Sequence, residues 1–357
     1  MMSAEHIDDL FSHSYAQARG KFLAAASAKG LPVDSYELGL KGAQNETLAT
    51  DVVFDGPRDA SKLLIVLSGV HGVEGFPGSA VQTGALRIAA PKPADTAILY
   101  VHAINPHGFS HLRRVTQENV DLNRNFIRFD ESLPQNEGYH EIHEALLPAQ
   151  WPPEDDQALQ QYRQAHGDKK FQCAVSLGQY HYPDGMFFGG QAPTWSNTTF
   201  RQILRTYAAS ASVIASVDIH TGLGPYGYGE KIFASHDTCT LEKARNWWGE
   251  ITDVHAGSST SVPMSGPIQV AISQECASAK HIGICLEFGT YPIETMIPAL
   301  RADHWVFRHG QQNTAQSSEI TNRLKDLFYP DYRDWKTPVW TQANNVMSQA
   351  LQGLGNW

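Results

Sequence analysis

The apolar residues of this chain fall into short runs with two different periods, separated by glycine, proline and charged clusters. Residues 35–42 and 47–55 alternate between apolar and polar, which suggests two strands in a hairpin. Residues 62–70 (KLLIVLSGV) form a compact apolar run ending near glycine, as a strand buried on both faces does. A helix is expected over 80–90, and 97–103 (AILYVHA) is a second buried strand. Strand, turn, helix, strand in that order reads as a βαβ unit, and so as a largely parallel sheet in an α/β fold. Residues 1–30 read as an alanine-rich amphipathic helical lead-in. Further along, the pattern gives a helix at about 193–210, a strand over 212–219 and a last strong strand over 282–288 (IGICLEF). The tail from residue 294 is helical, with a break at Pro330. Residues 130–170 differ in texture: polar, acidic and punctuated by proline, they read as an inserted, partly helical surface segment.

Composition narrows the function classes. The chain has 357 residues, 42% of them hydrophobic and 18% charged, which fits a globular protein with a sizeable core. That length allows two domains, but nothing in the texture marks a boundary, and one domain over 1–357 is expected. A net charge of −10 argues against a nucleic-acid backbone as partner, since such binding needs Lys and Arg against phosphates. The apolar runs are too short to span a bilayer, and the acidic start MMSAEHIDDLFSHS lacks a signal peptide's basic and apolar regions. A cytoplasmic protein without membrane partners is therefore expected. Cys173, Cys239, Cys276 and Cys285 are scattered, with no CxxC, and read as inert thiols.

Candidate chemistry gathers where strands end. His71-Gly-Val-Glu74 caps the 62–70 run, and ligands of open α/β sheets collect at the strands' carboxyl ends. His220 ends Ser-Val-Asp-Ile-His and enters the glycine-rich turn TGLGPYG. Alone, it could equally satisfy loop carbonyls. Together the three supply two imidazoles and a carboxylate, the ligand set of catalytic zinc with one position open. By contrast, His140, His143 and Glu144 do not form HExxH and read as a solvated helix face. Gly222-x-Gly224-x-x-Gly227 is formally a dinucleotide fingerprint, but Pro225 interrupts it and extended chain follows. Glu287 lies inside an apolar strand, where a carboxylate is costly unless paired or functional. It is either a buried ion-pair partner or a general base. Arg113, Arg114, Arg124 and Arg128 lie within sixteen residues of an acidic chain. A guanidinium suits bidentate binding of a carboxylate, and surface ion pairing is the alternative, above all for Arg128.

The stretches SGVHGVEGFPGS, NPHGFSHLRRVTQENVDLNRNF, DIHTGLGPYG and LEFGT, in that order over about residues 35–300, resemble the zinc carboxypeptidase superfamily. More narrowly, the chain resembles the bacterial branch long labelled a domain of unknown function, DUF2817. That resemblance implies a three-layer α/β/α domain with a mixed, mostly parallel sheet of about eight strands. It implies one zinc ion held by His71, Glu74 and His220, with Glu287 as general base and acid. Asn123 and Arg124 would hold a substrate carboxylate. Arg114 would polarise the scissile carbonyl, with Arg113 as fallback. Asp121 would orient His71 without touching the metal, and Asp218 is a further candidate for such a contact. The implied activity is hydrolysis of an amide next to a carboxylate, in a peptide or other small molecule. N-acyl amino acids, as taken by aspartoacylase or succinylglutamate desuccinylase, are the alternative to peptides, and a non-catalytic metal-binding relative is a weaker third reading. In one respect the chain departs from the pattern. Carboxypeptidases of this superfamily carry a mobile tyrosine between the last zinc histidine and the glutamate, but no tyrosine lies between Glu230 and Glu287. Tyr226, Tyr228 and Tyr291 lie outside that interval.

Overall fold

The computed structural model describes residues 4–88, 91–311 and 314–357. Its centre is an eight-stranded mixed sheet. In chain order the strands are β1 (Val33–Lys41), β2 (Thr47–Asp55), β3 (Lys62–Leu67), β4 (Thr96–His102), β5 (Val213–Gly222), β6 (Gly229–Phe233), β7 (Thr252–Asp253) and β8 (Lys280–Gly289). Their spatial order is β1-β2-β4-β3-β5-β8-β6-β7. The middle four, β4-β3-β5-β8, run parallel, and antiparallel strands flank them on both sides. The expected hairpin is β1–β2. The segment after the glycine-rich turn is β6, paired antiparallel with β8, so no helix opens there for a pyrophosphate.

Helices cover both faces because the central strands are apolar on both. Along β3, Leu64 and Val66 join one buried cluster with helices Tyr15–Ala28, Gly75–Ile88 and Arg333–Gly355. Leu63, Ile65 and Leu67 join the other, with helices Trp195–Tyr207 and Gln269–Glu275. The same period of two sorts β5 and β8. Val213, Ala215, Val217 and Ile219 face the first layer with Ile282, Ile284, Leu286 and Phe288. Asp218, His220, Cys285 and Glu287 therefore share the opposite face, near the strands' carboxyl ends. The expected helix at 80–90 starts earlier, at Gly75, and its last two positions, Ala89 and Ala90, lie outside the described residues. The tail is helical, with Ile293–Arg308 and Ala315–Phe328 preceding the break at Pro330. Among the described residues no helix is long and apolar enough to cross a membrane.

Residues 130–170 correct one expectation. This stretch is not merely a surface insertion. Helix Glu137–Leu146 turns Tyr139, Ile142, His143 and Leu146 inward, at spacings of three and four. Tyr139, Ile142 and Leu146 form a third buried cluster with Leu147 and Leu159 against Met296, Leu300, Leu324, Leu327 and Phe328. His143, expected on a solvated face, is 3% exposed and stacks on Tyr182 at 3.8 Å, whereas His140 and Glu144 are exposed. The polar residues of this helix hid its narrow apolar stripe. Arg301 ties the segment down, donating to the Leu146 carbonyl at 2.8 Å and pairing with Asp156 at 2.8 Å. The four cysteines are free, and Cys239 is exposed rather than buried.

Candidate metal centre

β3 ends at Leu67, and four residues later His71 opens a short 3-10 turn, Gly72–Glu74. That turn brings His71 and Glu74 onto one side. It is strapped to the neighbouring loop by Gly72 N donating to Arg114 O (3.1 Å) and Val73 N to Arg113 O (2.9 Å). The approach is so close that a Cβ on Gly72 would lie 2.0 Å from the Gly108 carbonyl carbon and 2.2 Å from Phe109 N. Both obstacles are backbone, so relief requires moving the loop that carries His71. Gly72→Ala is expected to destabilise the fold by about 1–3 kcal/mol through overpacking and to weaken metal binding. Thermal unfolding and a zinc titration on the variant check this, and a native-like melt with native affinity would contradict it.

β5 delivers His220 to the same point, and its backbone helps: Thr221 N donates to Glu74 Oε2 at 3.2 Å. His71 Nδ1 lies 3.0 Å from Glu74 Oε1, and His220 Nδ1 lies 2.9 Å from Glu74 Oε2. The two Nδ1 atoms are 3.2 Å apart, and a ligand atom from each residue fits within 4.8 Å of the others. All three side chains are buried. Each ring turns its other nitrogen to a carboxylate: His71 Nε2 to Asp121 Oδ1 (3.1 Å) and His220 Nε2 to Asp218 Oδ2 (2.8 Å). An ionised carboxylate only accepts, so Asp121 and Asp218 hold a ring proton on each Nε2 while Glu74 accepts a further one from His220 Nδ1; once that proton leaves, the Nδ1 lone pairs of both rings face Glu74 and each other. Acceptors packed this way repel unless a positive charge sits among them.

The surrounding charges agree. The carboxylates of Glu74, Asp121, Asp218 and Glu287 stand against the guanidiniums of Arg114 and Arg124, leaving two negative charges for one divalent cation to balance. Protons are held in its place. Burial first, and then the Glu74 charge, push Glu287 up to about 8. Burial alone would lower His220, but Asp218 and then Glu74 outweigh it and raise its pKa well above the ordinary value. Burial would raise Glu74, but His71, Arg114 and His220 hold it well below the carboxylate range.

Asp121 is the hub behind the cage. It is wholly buried and accepts from Arg114 Nε (3.1 Å) and Asn123 N (3.0 Å) besides facing His71. Arg114 also donates to Glu74 Oε1 at 2.7 Å, so its guanidinium is fixed beside the cage. Asp121→Asn keeps the shape but removes the charge that orients His71 and Arg114. It is expected to weaken metal binding roughly 10–100-fold, as measured by chelator competition, with native helicity retained. Unchanged affinity would remove Asp121 from this role.

A cavity of about 130 Å³ opens onto the cage. Of the sequence-predicted residues, His71, Arg114, Asn123, Arg124, His220 and Glu287 line it. The register pairs His220 with Glu287 directly on adjacent strands, and Leu223 N holds Glu287 Oε1 at 3.1 Å. Arg124 is 2% exposed; its guanidinium donates to the carbonyls of Ser176 and Leu177 and to Met264 Sδ. Asn123 Oδ1 accepts from Ile268 N at 3.0 Å. Arg113 is not brought to this cavity. It grips Asp303 with two nitrogens (3.0 and 2.9 Å) and lies over the Phe307 ring. Arg128 is an exposed surface ion-pair residue. Tyr226, Tyr228 and Tyr291 are not among the lining residues. Instead Ser261, Val262 and Met264 form part of the wall, with Phe187, Met296 and Phe328. Sequence reasoning missed all of these, because none belongs to a motif and only packing brings them here.

Fold and site together define an α/β/α protein with a buried cluster of two histidines and a glutamate at the carboxyl edge of its sheet and a further carboxylate, Glu287, beside it. The chain matches, over residues 11–342, the family described as "Protein of unknown function (DUF2817)", and it belongs to that family. No curated protein matches it. Similar solved structures include carboxypeptidase A from Helicoverpa armigera, at 12% identity and TM-score 0.47, covering 88% of this chain and 73% of that one. Bovine thrombin-activatable fibrinolysis inhibitor is similar at 11% identity and TM-score 0.47, covering 96% and 97%. A metallo-carboxypeptidase from Burkholderia cenocepacia is similar at 10% identity and TM-score 0.46, covering 97% and 71%. Likeness this distant says nothing of the reaction.

Proposed function

We propose that this protein is a zinc-dependent hydrolase of amide bonds adjacent to a carboxylate, acting in the manner of a carboxypeptidase. The observation that carries this reading is the convergence of His71, Glu74 and His220 beside a half-buried Glu287 that has no ion pair among the described residues and is open to the same cavity. The donor set fits zinc: two imidazole nitrogens and a carboxylate, each imidazole backed by a carboxylate. Zinc bound there supplies a Lewis acid and lowers the pKa of water towards about 7.

The chain's own residues divide the remaining work. Glu287 takes the proton from the attacking water and returns it to the leaving amine. Its carboxylate is held by Leu223 N through Oε1, and Oε2, which meets the Cys285 thiol at 4.0 Å, is the oxygen for that exchange. Arg114, fixed by Glu74 and Asp121, places a cation where the carbonyl oxygen becomes negative. Arg124 and Asn123 orient the substrate through its carboxylate, which removes alignment entropy from the barrier. The test is hydrolysis by zinc-loaded protein of peptides with free C-termini, their amidated twins, and N-acyl amino acids. Cleavage of free but not amidated peptides supports the carboxypeptidase reading. Cleavage of N-acyl amino acids alone makes the protein a deacylase, and no cleavage of either sinks the hydrolase reading.

Zinc must displace the proton that His220 holds. Its affinity should therefore rise as pH climbs towards the raised His220 pKa and level off above it, with protons released on binding. Calorimetry in buffers of different ionisation enthalpy measures both, and pH-independent affinity without proton release would contradict the cage as drawn.

A further inference from the structure

The cavity is charged at one side only. The other wall is one face of helix Ile293–Arg308, which presents Ile293, Met296, Ile297 and Leu300 at spacings of three and four. Phe328, at the end of the following helix, and Val175 complete it. This wall abuts the reacting end of the site. A Cβ on Gly222 would lie 3.1 Å from Glu287 Oε1, 3.5 Å from the Phe328 ring and 3.9 Å from the Met296 methyl.

The cations that line the cavity are already engaged. Arg114 is held by Glu74 and Asp121, and Arg124 by Asp121 and two backbone carbonyls. One substrate carboxylate can be met at Arg124 and Asn123. Among the described lining residues there is no further Lys or Arg to meet a second carboxylate. The one lining carboxylate, Glu287, is the proton carrier of the proposed reaction and so is not available to pair with a basic side chain. Burying an unpaired charge against this wall costs far more than a methylene contributes.

We infer that the substrate is a monocarboxylate amide carrying a large apolar group, and neither a dicarboxylate, such as a succinyl or aspartyl compound, nor a basic one. This rests on the amide-hydrolase reading for its reaction, but its binding selectivity stands on the wall alone. The apolar group can lie on the acyl side or on the released amine, and the same wall would receive either.

The test is kcat/KM of the zinc-loaded protein on two series. In one, glycine carries acetyl, 3-phenylpropanoyl or succinyl groups. In the other, acetyl is joined to glycine, phenylalanine, aspartate or lysine. In one series the aromatic member should exceed its smallest analogue by about tenfold or more and exceed the charged members further. The series that responds tells which side the wall receives. Ile297, half-buried at the cavity wall, provides the swap: Ile297→Arg should lower the ratio of aromatic to acidic substrate by at least about tenfold. Binding is read separately by calorimetry of 3-phenylpropanoate and succinate on the zinc-loaded Glu287→Gln protein, with phenylpropanoate expected to bind tighter. Equal or reversed preference in binding, or a flat substrate series, overturns the inference. Failure to cleave any amide while phenylpropanoate is still preferred overturns the hydrolase reading and leaves the apolar site standing.

Discussion

Replacing Glu287 by glutamine is expected to lower kcat by about 10²–10⁴-fold while zinc stays bound at one per chain. The separation follows from the sheet. Glu287 projects from β8 beside His220 but is not one of the three residues that converge on the cage. Glutamine keeps an oxygen for Leu223 N, so the local fold has no reason to change. What it loses is the capacity to take a proton. Burial and the Glu74 charge make Glu287 a stronger base than an ordinary carboxylate, and the glutamine amide has no such basicity. Rates on the best amide substrate, together with zinc content by elemental analysis, decide the matter. An undiminished kcat would show that another group carries the proton. Loss of zinc along with activity would place Glu287 among the ligands instead.

His220→Ala should remove both zinc and turnover. The lost ligand is one of three, so the fall in affinity should exceed the roughly 10–100-fold expected of an outer partner such as Asp121. In the native protein, zinc at a hundredfold excess over its Kd should add about 2.7 kcal/mol to stability, seen as a higher melting temperature. In His220→Ala that increment should vanish at the same zinc concentration. Chelation followed by zinc should restore native activity but not that of the variant. The variant also leaves Asp218 and Glu74 facing an empty space. Breaking buried charge pairs of this kind costs about 3–5 kcal/mol, so its metal-free melt should fall as well. A variant that melts lower but still gains stability from zinc would exclude His220 as a ligand.

Both expectations rest on features that differ in how readily the sequence shows them. The apolar run at 62–70 and the strands around 97–103, 212–219 and 282–288 could be read directly, because a strand buried on both faces needs uninterrupted apolar residues. The polar residues that break such runs at their ends, His71, His220 and Glu287, stood out for the same reason: nothing but function or pairing justifies them there. Period two pairs Asp218 with His220 and Cys285 with Glu287 along their own strands, but only the register of β5 against β8 sets all four on one face.

Other features required the folded chain. Arg113 and Arg114 are adjacent and chemically equivalent, and only the loop's path sends one to Glu74 and Asp121 and the other to Asp303. Helix Glu137–Leu146 reads as polar because its apolar stripe is a minority of its residues, yet that stripe closes a core cluster with the distant helices Ile293–Arg308 and Ala315–Phe328. The cavity wall of Ile293, Met296, Ile297, Leu300 and Phe328 has the composition of any amphipathic helix pair. Burial in a core and exposure to a cavity place the same demand on a side chain's chemistry, so sequence alone determined the strands and singled out the candidate metal-binding residues, and tertiary packing decided what else lies around them.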